Sequence, residues 1–306
     1  FMSNFANFAY GLAWFLVKRL PNKFTLVIFR KIADYAYKKD IKGVQQLRAN
    51  LSFMLSLSKD SIELEKLVKE GMRSYLRYWQ EAFRLPKWDK NYLEKNIRIK
   101  GKVNLDSAQR SGRPLVTAVA HMGNWDAAGF WYTNNFGQLT TVAERIKDES
   151  LFNRLVKFRN SFGVEIIPTS GETDIFMKLV RRAKEGRMIA LVADRDISRN
   201  GIEINYGNSK TTFPVGPAAI VTTVDGLIVP MSSYYDFDGK LTFEFFPTLS
   251  PNSSLSKEQN VLNLTQDLAN IFESEIKKHP KDWHLLQRVW KDVLPLKRIN
   301  HNLVGK

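Results

Sequence analysis

The sequence predicts an α/β fold, in which a central, mainly parallel or mixed sheet is flanked by helices and preceded by a helical region. Three observations predict it. Beyond residue 113, short apolar runs alternate with helical patterns, as in parallel strands joined by helices. The first 113 residues instead show amphipathic helical patterns. The 306 residues are 44% hydrophobic and 25% charged, which excludes a disordered or fibrous chain.

The first region, residues 1–113, carries most of the excess positive charge. It holds 23 Lys and Arg against 10 Asp and Glu, whereas residues 114–306 hold 23 against 21. Residues 5–17 are uncharged and aromatic, but these thirteen residues are too few to span a bilayer, which takes about 20. A second apolar stretch, residues 24–29, is followed by basic side chains. Such mixtures are typical of helices lying in a membrane interface, and an ordinary buried stripe is the alternative.

The remaining elements are predicted in chain order. Apolar side chains at helical spacing predict an amphipathic helix over residues 59–83. Apolar runs predict strands over residues 115–120, 139–143, 164–167 and 188–193. The segments between them predict helices over residues 126–136, 148–162 and 173–185. A strand pair joined by a hairpin loop and a closing helix are predicted over residues 227–231, 241–246 and 257–278. We therefore expect a helical, basic, membrane-associating region over 1–113 and one continuous α/β core over 114–306.

The candidate catalytic residues follow the first predicted strand of the core, at an edge where open α/β sheets bind ligands. His121 comes directly after the strand, and Asp126 falls in the first turn of a helix that Asn124 can cap. A carboxylate there can accept the ring N–H of His121, and the oriented imidazole can take a proton from a substrate hydroxyl. Packing of His121 against the sheet is the alternative, since this spacing also arises by chance.

Other candidate site residues follow later strands. Glu144 comes directly after a predicted strand, and Arg159 lies late in the next helix, where it can pair with Glu144 or stabilise negative charge on a reacting oxygen. Asp194 and Arg195 follow the strand at 188–193 and predict contacts to a sugar or an internal ion pair.

The composition excludes several kinds of chemistry. The chain has no Cys, so disulfides, thiolate metal sites and Cys nucleophiles are excluded, and with only four His no metal is expected. A basic nucleic-acid-binding protein is the alternative from another class, supported by the net charge of +15. No recognised nucleic-acid motif occurs, and the charges alternate with bulky apolar residues, so the expected partner is an anionic membrane surface and not nucleic acid.

The segment HMGNWD, with His121 and Asp126, resembles the histidine-x4-acid motif of the glycerolipid and lipid A acyltransferase superfamily. The longer text HMGNWDAAGFW is followed in order by TVAERIKDESLFNRLVKFRNSFGVEIIP, VADRDIS, FPVGPAA and HPKDWHLLQRVW. Together these segments resemble the bacterial phosphatidylinositol mannoside acyltransferases from about residue 115 to residue 290.

This resemblance implies a glycerol-3-phosphate-acyltransferase-like fold and transfer of a fatty acyl group, typically palmitoyl from acyl-CoA, to a mannose hydroxyl of a phosphatidylinositol mannoside. It implies that His121 is the general base positioned by Asp126, with no covalent acyl-enzyme and no cofactor beyond acyl-CoA as co-substrate. It makes Glu144, Arg159 and His284 expected substrate-binding residues. Peripheral attachment to the cytoplasmic face of the cell membrane is expected. A late acyltransferase of lipid A biosynthesis and an inactive lipid-binding scaffold are the alternatives.

Overall fold

A sheet with helices on both faces organises the computed structural model, which describes Val17 and residues 19–298 except 146–148, 170, 172, 198 and 199. Apart from Val17, the predicted interfacial segment over residues 5–17 lies outside the described residues. The helices are α1 (Asn22–Lys38), α2 (Lys42–Leu55), α3 (Ile62–Arg84), α4 (Lys90–Asn96), α5 (Lys102–Arg110), α6 (Trp125–Asn135), α7 (Glu149–Asn160), α8 (Ile175–Lys184), α9 (Gly216–Val224) and α10 (Lys257–Lys278). The strands are β1 (Ile97–Lys100), β2 (Leu115–Val119), β3 (Leu139–Ala143), β4 (Val164–Pro168), β5 (Met188–Val192), β6 (Ile202–Tyr206), β7 (Ser209–Phe213), β8 (Leu227–Tyr235) and β9 (Leu241–Phe245).

The main sheet has the strand order β1-β9-β8-β2-β5-β3-β4. Neighbouring strands run parallel except β8 and β9, which form the antiparallel pair predicted as a hairpin. All residues of β2 and β8 are buried, as expected for strands that are covered on both faces. The prediction of an α/β fold with a mainly parallel, mixed sheet flanked by helices is confirmed.

Alternate residues of the strands pack into two hydrophobic layers. Leu115 and Val119 of β2 join the layer formed with α5, α6 and α7, whereas Val116 and Ala118 join the layer formed with α8, α9 and α10. The second layer also contains buried side chains of α2 and α3, including Leu51. The N-terminal helices therefore share a hydrophobic core with the α/β part of the chain.

The expectation that residues 1–113 are helical is wrong at β1. This four-residue strand pairs in parallel with β9 and completes one edge of the sheet, because Ile97 can be buried there while Lys100 stays exposed. The antiparallel hairpin of β6 and β7 and the helix α2 were also not predicted. None of the described helices is both long enough and apolar enough to cross a bilayer.

Helix α3 shows why the N-terminal sequence folds as it does. Ser61 caps it by accepting the backbone N–H of Leu64, and Glu63 and Glu65 lie in the first turn, where the helix dipole favours negative charge. Its apolar positions repeat with helical spacing and bury one side of the helix. A capped, amphipathic helix is therefore held against the core.

Candidate active site

The candidate site lies at the carboxyl ends of β2 and β5. These neighbouring parallel strands pair Val119 with Val192, and His121 and Asp194 each follow that pair by two residues. Nδ1 of His121 lies 2.5 Å from Oδ1 of Asp194, and the backbone N–H of His121 donates to Oδ2 at 2.9 Å. The register of the sheet thus places a carboxylate beside the imidazole.

Asp194 is fully buried, and three groups donate to it. The third donor is the indole N–H of Trp283, 3.0 Å from Oδ2. Burial alone would raise the pKa of Asp194, but the interaction with His121 and these hydrogen bonds outweigh burial and lower the pKa below its usual value. A carboxylate in this position accepts the ring N–H of His121 at Nδ1, so that the neutral imidazole carries no proton on Nε2.

The turn between His121 and α6 depends on two residues of the motif. Gly123 has a φ of +55°, and a Cβ at this position would lie 2.4 Å from the carbonyl oxygen of Ser233, so only glycine fits. Asn124 caps α6, since its Oδ1 accepts the backbone N–H of Ala127 at 2.9 Å. The predicted cap is confirmed, and it places Asp126 in the first turn.

The expectation that Asp126 accepts the ring N–H of His121 is wrong, because Asp194 occupies that position. Asp126 instead faces α3 and α7. Its Oδ1 lies 2.8 Å from Nε of Arg159, and its Oδ2 accepts from Nη2 of Arg159 at 2.9 Å and from the hydroxyl of Tyr78 at 2.8 Å. Asp126 therefore cannot position the imidazole by accepting its ring N–H, which is the role that the sequence predicts.

The expected pairing of Arg159 with Glu144 is also replaced by this arrangement. Arg159 is largely buried, and although burial alone would lower the pKa of its guanidinium, Asp126 holds the pKa above its usual value. Burial, followed by the nearby charge of Asp126, raises the pKa of Tyr78 well above its usual value, so its hydroxyl remains a donor. Glu144 is exposed and Arg195 is half-buried. Both line a cavity that adjoins His121 and Asp126.

A cavity of about 380 Å³ adjoins His121 and Asp126. Its lining continues along the sheet to Leu139, Val164 and Met188, the first residues of β3, β4 and β5. Met188 precedes Asp194, the residue beside the His121 ring, by six residues. At the rise of a strand, these six residues extend over roughly 20 Å of chain. Most of the lining side chains are apolar, so the cavity suits a long apolar group.

His284 lines the same cavity and is only 3% exposed. Its backbone N–H donates to the carbonyl oxygen of His121 at 2.7 Å, and its Nε2 lies 2.9 Å from the hydroxyl oxygen of Ser74. Burial, followed by the interaction with His121, lowers the pKa of His284 to about 3. This imidazole is therefore neutral at physiological pH.

The residues that sequence reasoning missed come mainly from α3. Ser74, Tyr78 and Trp79 reach the site from a helix that was assigned to the membrane-associating region. The sequence signal for these residues is the aromatic run YLRYW at residues 75–79. In the described part of the chain, no group of three or more His, Cys, Asp or Glu side chains is placed to hold a metal ion.

Helix α1 presents a mixed apolar and basic surface away from the core. Phe24, Val27 and Tyr35 are 52% to 63% exposed, and the exposed Lys31 lies between them on the same side of the helix. The opposite side is fixed to α3, where Arg73 pairs with Asp34 at 2.7 Å and Gln80 donates to Thr25 at 2.7 Å.

Comparison with known proteins gives two findings. Residues 2–292 match the family model described as bacterial lipid A biosynthesis acyltransferase. The chain is 36% identical over 282 residues to a phosphatidylinositol mannoside acyltransferase of Mycolicibacterium smegmatis, covering 92% of this chain and 90% of the relative. It is likewise 36% identical over 287 residues to a phosphatidylinositol mannoside acyltransferase of Mycobacterium tuberculosis, covering 93% and 88%.

Proposed function

Because the chain belongs to the bacterial lipid A biosynthesis acyltransferase family, whose members acylate glycolipids, we propose that it moves a fatty acyl group from acyl-CoA to a mannose hydroxyl of a phosphatidylinositol mannoside. The names of the relatives from Mycolicibacterium smegmatis and Mycobacterium tuberculosis support this acceptor. The observation that carries the mechanism is the contact between His121 and the buried Asp194 beside an apolar cavity.

In the proposed reaction His121 is the general base. Asp194 holds the proton on Nδ1, so Nε2 accepts the proton of the mannose hydroxyl while the hydroxyl oxygen attacks the thioester carbonyl carbon. The new C–O bond forms, the C–S bond breaks, and the protonated His121 returns the proton to the sulfur, so that CoA leaves as a thiol. Asp194 stabilises the imidazolium between these steps, and no covalent acyl-enzyme is needed.

Asp126 and Arg159 are proposed to bind the acceptor. The carboxylate of Asp126 is fixed by Arg159 and Tyr78, yet its side chain remains 12% exposed beside the cavity, where it can accept a second sugar hydroxyl. Asp126 thereby positions the acceptor toward His121, without touching the imidazole. Glu144 and Arg195, at the edge of the cavity, are proposed contacts for the remaining polar groups of the substrates.

The apolar part of the cavity is proposed to hold the acyl chain. Its lining extends from His121 to Leu139, Val164 and Met188 at the other ends of the strands, which favours a long chain such as palmitoyl over a short one. Burying such a chain supplies binding energy and places the thioester carbonyl near His121, because the chain enters the cavity with its carbonyl end last.

Peripheral attachment to the cytoplasmic face of the cell membrane completes the proposal. The exposed aromatic and basic side chains of α1 suit the headgroup region of an anionic leaflet. The leaflet would supply the glycolipid acceptor, and acyl-CoA would enter from the cytosol. The uncharged segment over residues 5–17, which contains three Phe, one Tyr and one Trp, is proposed to reinforce this attachment.

The test is acyl transfer from palmitoyl-CoA to purified phosphatidylinositol dimannoside, followed by mass spectrometry. We expect a monoacylated product from the natural protein and none from His121→Ala, with the circular dichroism spectrum unchanged in the variant. Turnover by folded His121→Ala would remove His121 as the base. If the natural protein forms no product, the proposed acceptor is wrong, and lipid A precursors are the next acceptors to test.

A further inference from the structure

The buried ring of His284 carries a nitrogen, Nδ1, that has no hydrogen-bond partner within the described residues. Buried polar atoms are almost always hydrogen-bonded, so an exception calls for an explanation. This exception belongs to a ring that lines the same cavity as the general base.

The neighbours of Nε2 determine where the ring proton sits. The hydroxyl of Ser74 donates its single proton to Oδ1 of Asp282 at 2.5 Å. Toward His284, 2.9 Å away, Ser74 can therefore only accept. Nε2 must carry the ring proton, and Nδ1 is left with a free lone pair.

Asp282 is itself fixed in place. It is fully buried, and its Oδ2 accepts the backbone N–H of Tyr235 at 3.0 Å, which commits Oδ1 to Ser74. The result is a chain from Tyr235 through Asp282 and Ser74 to His284. It links β8, the segment after α10 and α3.

The two histidines of the cavity therefore have opposite tautomers. His121 carries its proton on Nδ1, where Asp194 binds it, and His284 carries its proton on Nε2. The ring centroid of Trp125 lies 5.5 Å from that of His121 and 6.3 Å from that of His284, so all three rings belong to one site. The unprotonated Nε2 of His121 is the proposed base, and the unprotonated Nδ1 of His284 can only accept a hydrogen bond.

We propose that Asp282 and Ser74 are positioning residues that lock His284 in the Nε2–H tautomer, so that Nδ1 accepts a hydrogen bond from an O–H group of the acceptor. This rests on the proposed function, in which the acceptor is a sugar with several hydroxyls. The carbonyl of a thioester has no O–H and cannot satisfy Nδ1, whereas a sugar hydroxyl can. Because Nδ1 is enclosed, the proposal includes a small shift of the surrounding aromatic rings when the acceptor binds.

The lock is tested by the substitution Asp282→Asn. The backbone N–H of Tyr235 requires an acceptor, so the oxygen of the Asn side chain faces Tyr235 and its NH₂ donates to Ser74. The proton of Ser74, no longer committed to residue 282, is then available to Nε2 of His284, and donation to Nε2 moves the ring proton to Nδ1. The single substitution is expected to invert the tautomer while leaving His284 in place.

The first readout is independent of enzymatic activity. The protein labelled with ¹⁵N at its four histidines is studied by long-range ¹H–¹⁵N correlation at neutral pH, and the His284 signals are assigned by their loss in His284→Gln. We expect the Nε2–H tautomer in the natural protein and the Nδ1–H tautomer in Asp282→Asn. An Nδ1–H tautomer in the natural protein, or an unchanged tautomer in Asp282→Asn, overturns the lock.

The second readout is the kinetics of acyl transfer to phosphatidylinositol dimannoside. For Asp282→Asn we expect KM for the glycolipid to rise about tenfold, the effect of losing one hydrogen bond, with KM for palmitoyl-CoA unchanged. An inverted tautomer with an unchanged KM for the glycolipid overturns the role in acceptor binding. If the natural protein transfers no acyl group, the proposed function fails, and the NMR result still decides whether the lock exists.

Discussion

Acidification tests the burial of His284 through its effect on stability. The pKa of His284 is lowered to about 3 in the folded protein, against 6.5 for an exposed histidine. Below pH 6.5 the unfolded chain therefore binds a proton that the folded protein does not, and this histidine makes the protein less stable as the pH falls. At about 1.4 kcal/mol per pH unit, the loss between pH 6.5 and pH 4.5 is about 3 kcal/mol.

Asp282 contributes with the opposite sign over nearly the same range. Burial raises the pKa of its carboxyl from 3.8 to about 6. Between those values the folded protein holds a proton that the unfolded chain has released, so this carboxyl makes the protein more stable as the pH falls. From pH 6 to pH 4.5 the gain is about 2 kcal/mol, which offsets most of the loss from His284.

The contributions of His284 and Asp282 to the pH dependence of stability largely cancel, so they are measured by replacing the two residues separately. The free energy of unfolding in urea is measured at pH 7 and pH 4.5 for the natural protein, His284→Gln and Asp282→Asn. From pH 7 to pH 4.5, we expect the change in the free energy of unfolding of His284→Gln to be about 3 kcal/mol more stabilising than that of the natural protein. For Asp282→Asn we expect this change to be about 2 kcal/mol more destabilising. Gln keeps a donor for Ser74. An identical pH dependence for the natural protein and His284→Gln would refute the burial of a neutral imidazole.

Three further predictions concern the proposed activity. Asp194→Asn is expected to lower kcat by about 100-fold or more, with the KM values for palmitoyl-CoA and for the glycolipid nearly unchanged. Asp126→Asn is instead expected to raise KM for the glycolipid. Equal kinetic effects of the two variants would contradict the separate roles assigned to these carboxylates. Gly129→Leu places a side chain in the cavity, because Gly129 lines it and a Cβ at this helix position lies 3.8 Å from Val164. When palmitoyl-CoA and shorter acyl-CoA donors compete, we expect this variant to transfer a larger fraction of the shorter acyl groups. An unchanged chain-length profile would place the acyl chain elsewhere. Combined Ser substitutions at Phe24, Val27 and Tyr35 should lower the affinity for anionic vesicles, measured by sedimentation, about tenfold. The control is Phe237→Ser, a change at a residue that is 94% exposed in another part of the chain. Equal binding by both variants would argue against α1 as the attachment surface.

Much of the fold could be predicted because buried parallel strands appear in a sequence as uninterrupted apolar runs. The strand predicted at 188–193 lies at Met188–Val192, and the helix predicted at 257–278 lies at Lys257–Lys278. The hairpin of β6 and β7 was missed although Ile, Ile and Tyr alternate with polar residues before Gly207 and Asn208, which is a typical hairpin pattern. Its strands are half exposed, so they lack the continuous apolar run on which the other predictions depended.

The candidate site could be located from the sequence, but its internal contacts could not. His121 was placed correctly at a strand end, since that position depends only on local sequence. The partner of its ring depends on strand order, because β2 pairs with β5 across the 68 residues between Val119 and Met188. A single sequence shows which residues end a strand but not which strands are neighbours, so it favours the nearby Asp126 over Asp194 as the partner of His121.

The position of α3 bears on what a cleaved form of this protein can do. One side of this helix holds α1 through Arg73 and Gln80, and the other side supplies Ser74 and Tyr78 to the site. A proteolytic fragment that begins at residue 114 would lack the Tyr78 hydroxyl that donates to Asp126 and the Ser74 hydroxyl that accepts from His284, and its apolar surface under α3 would be open to water. Cleavage that removes α3 therefore also removes Tyr75, Tyr78 and Trp79 from the lining of the cavity beside His121.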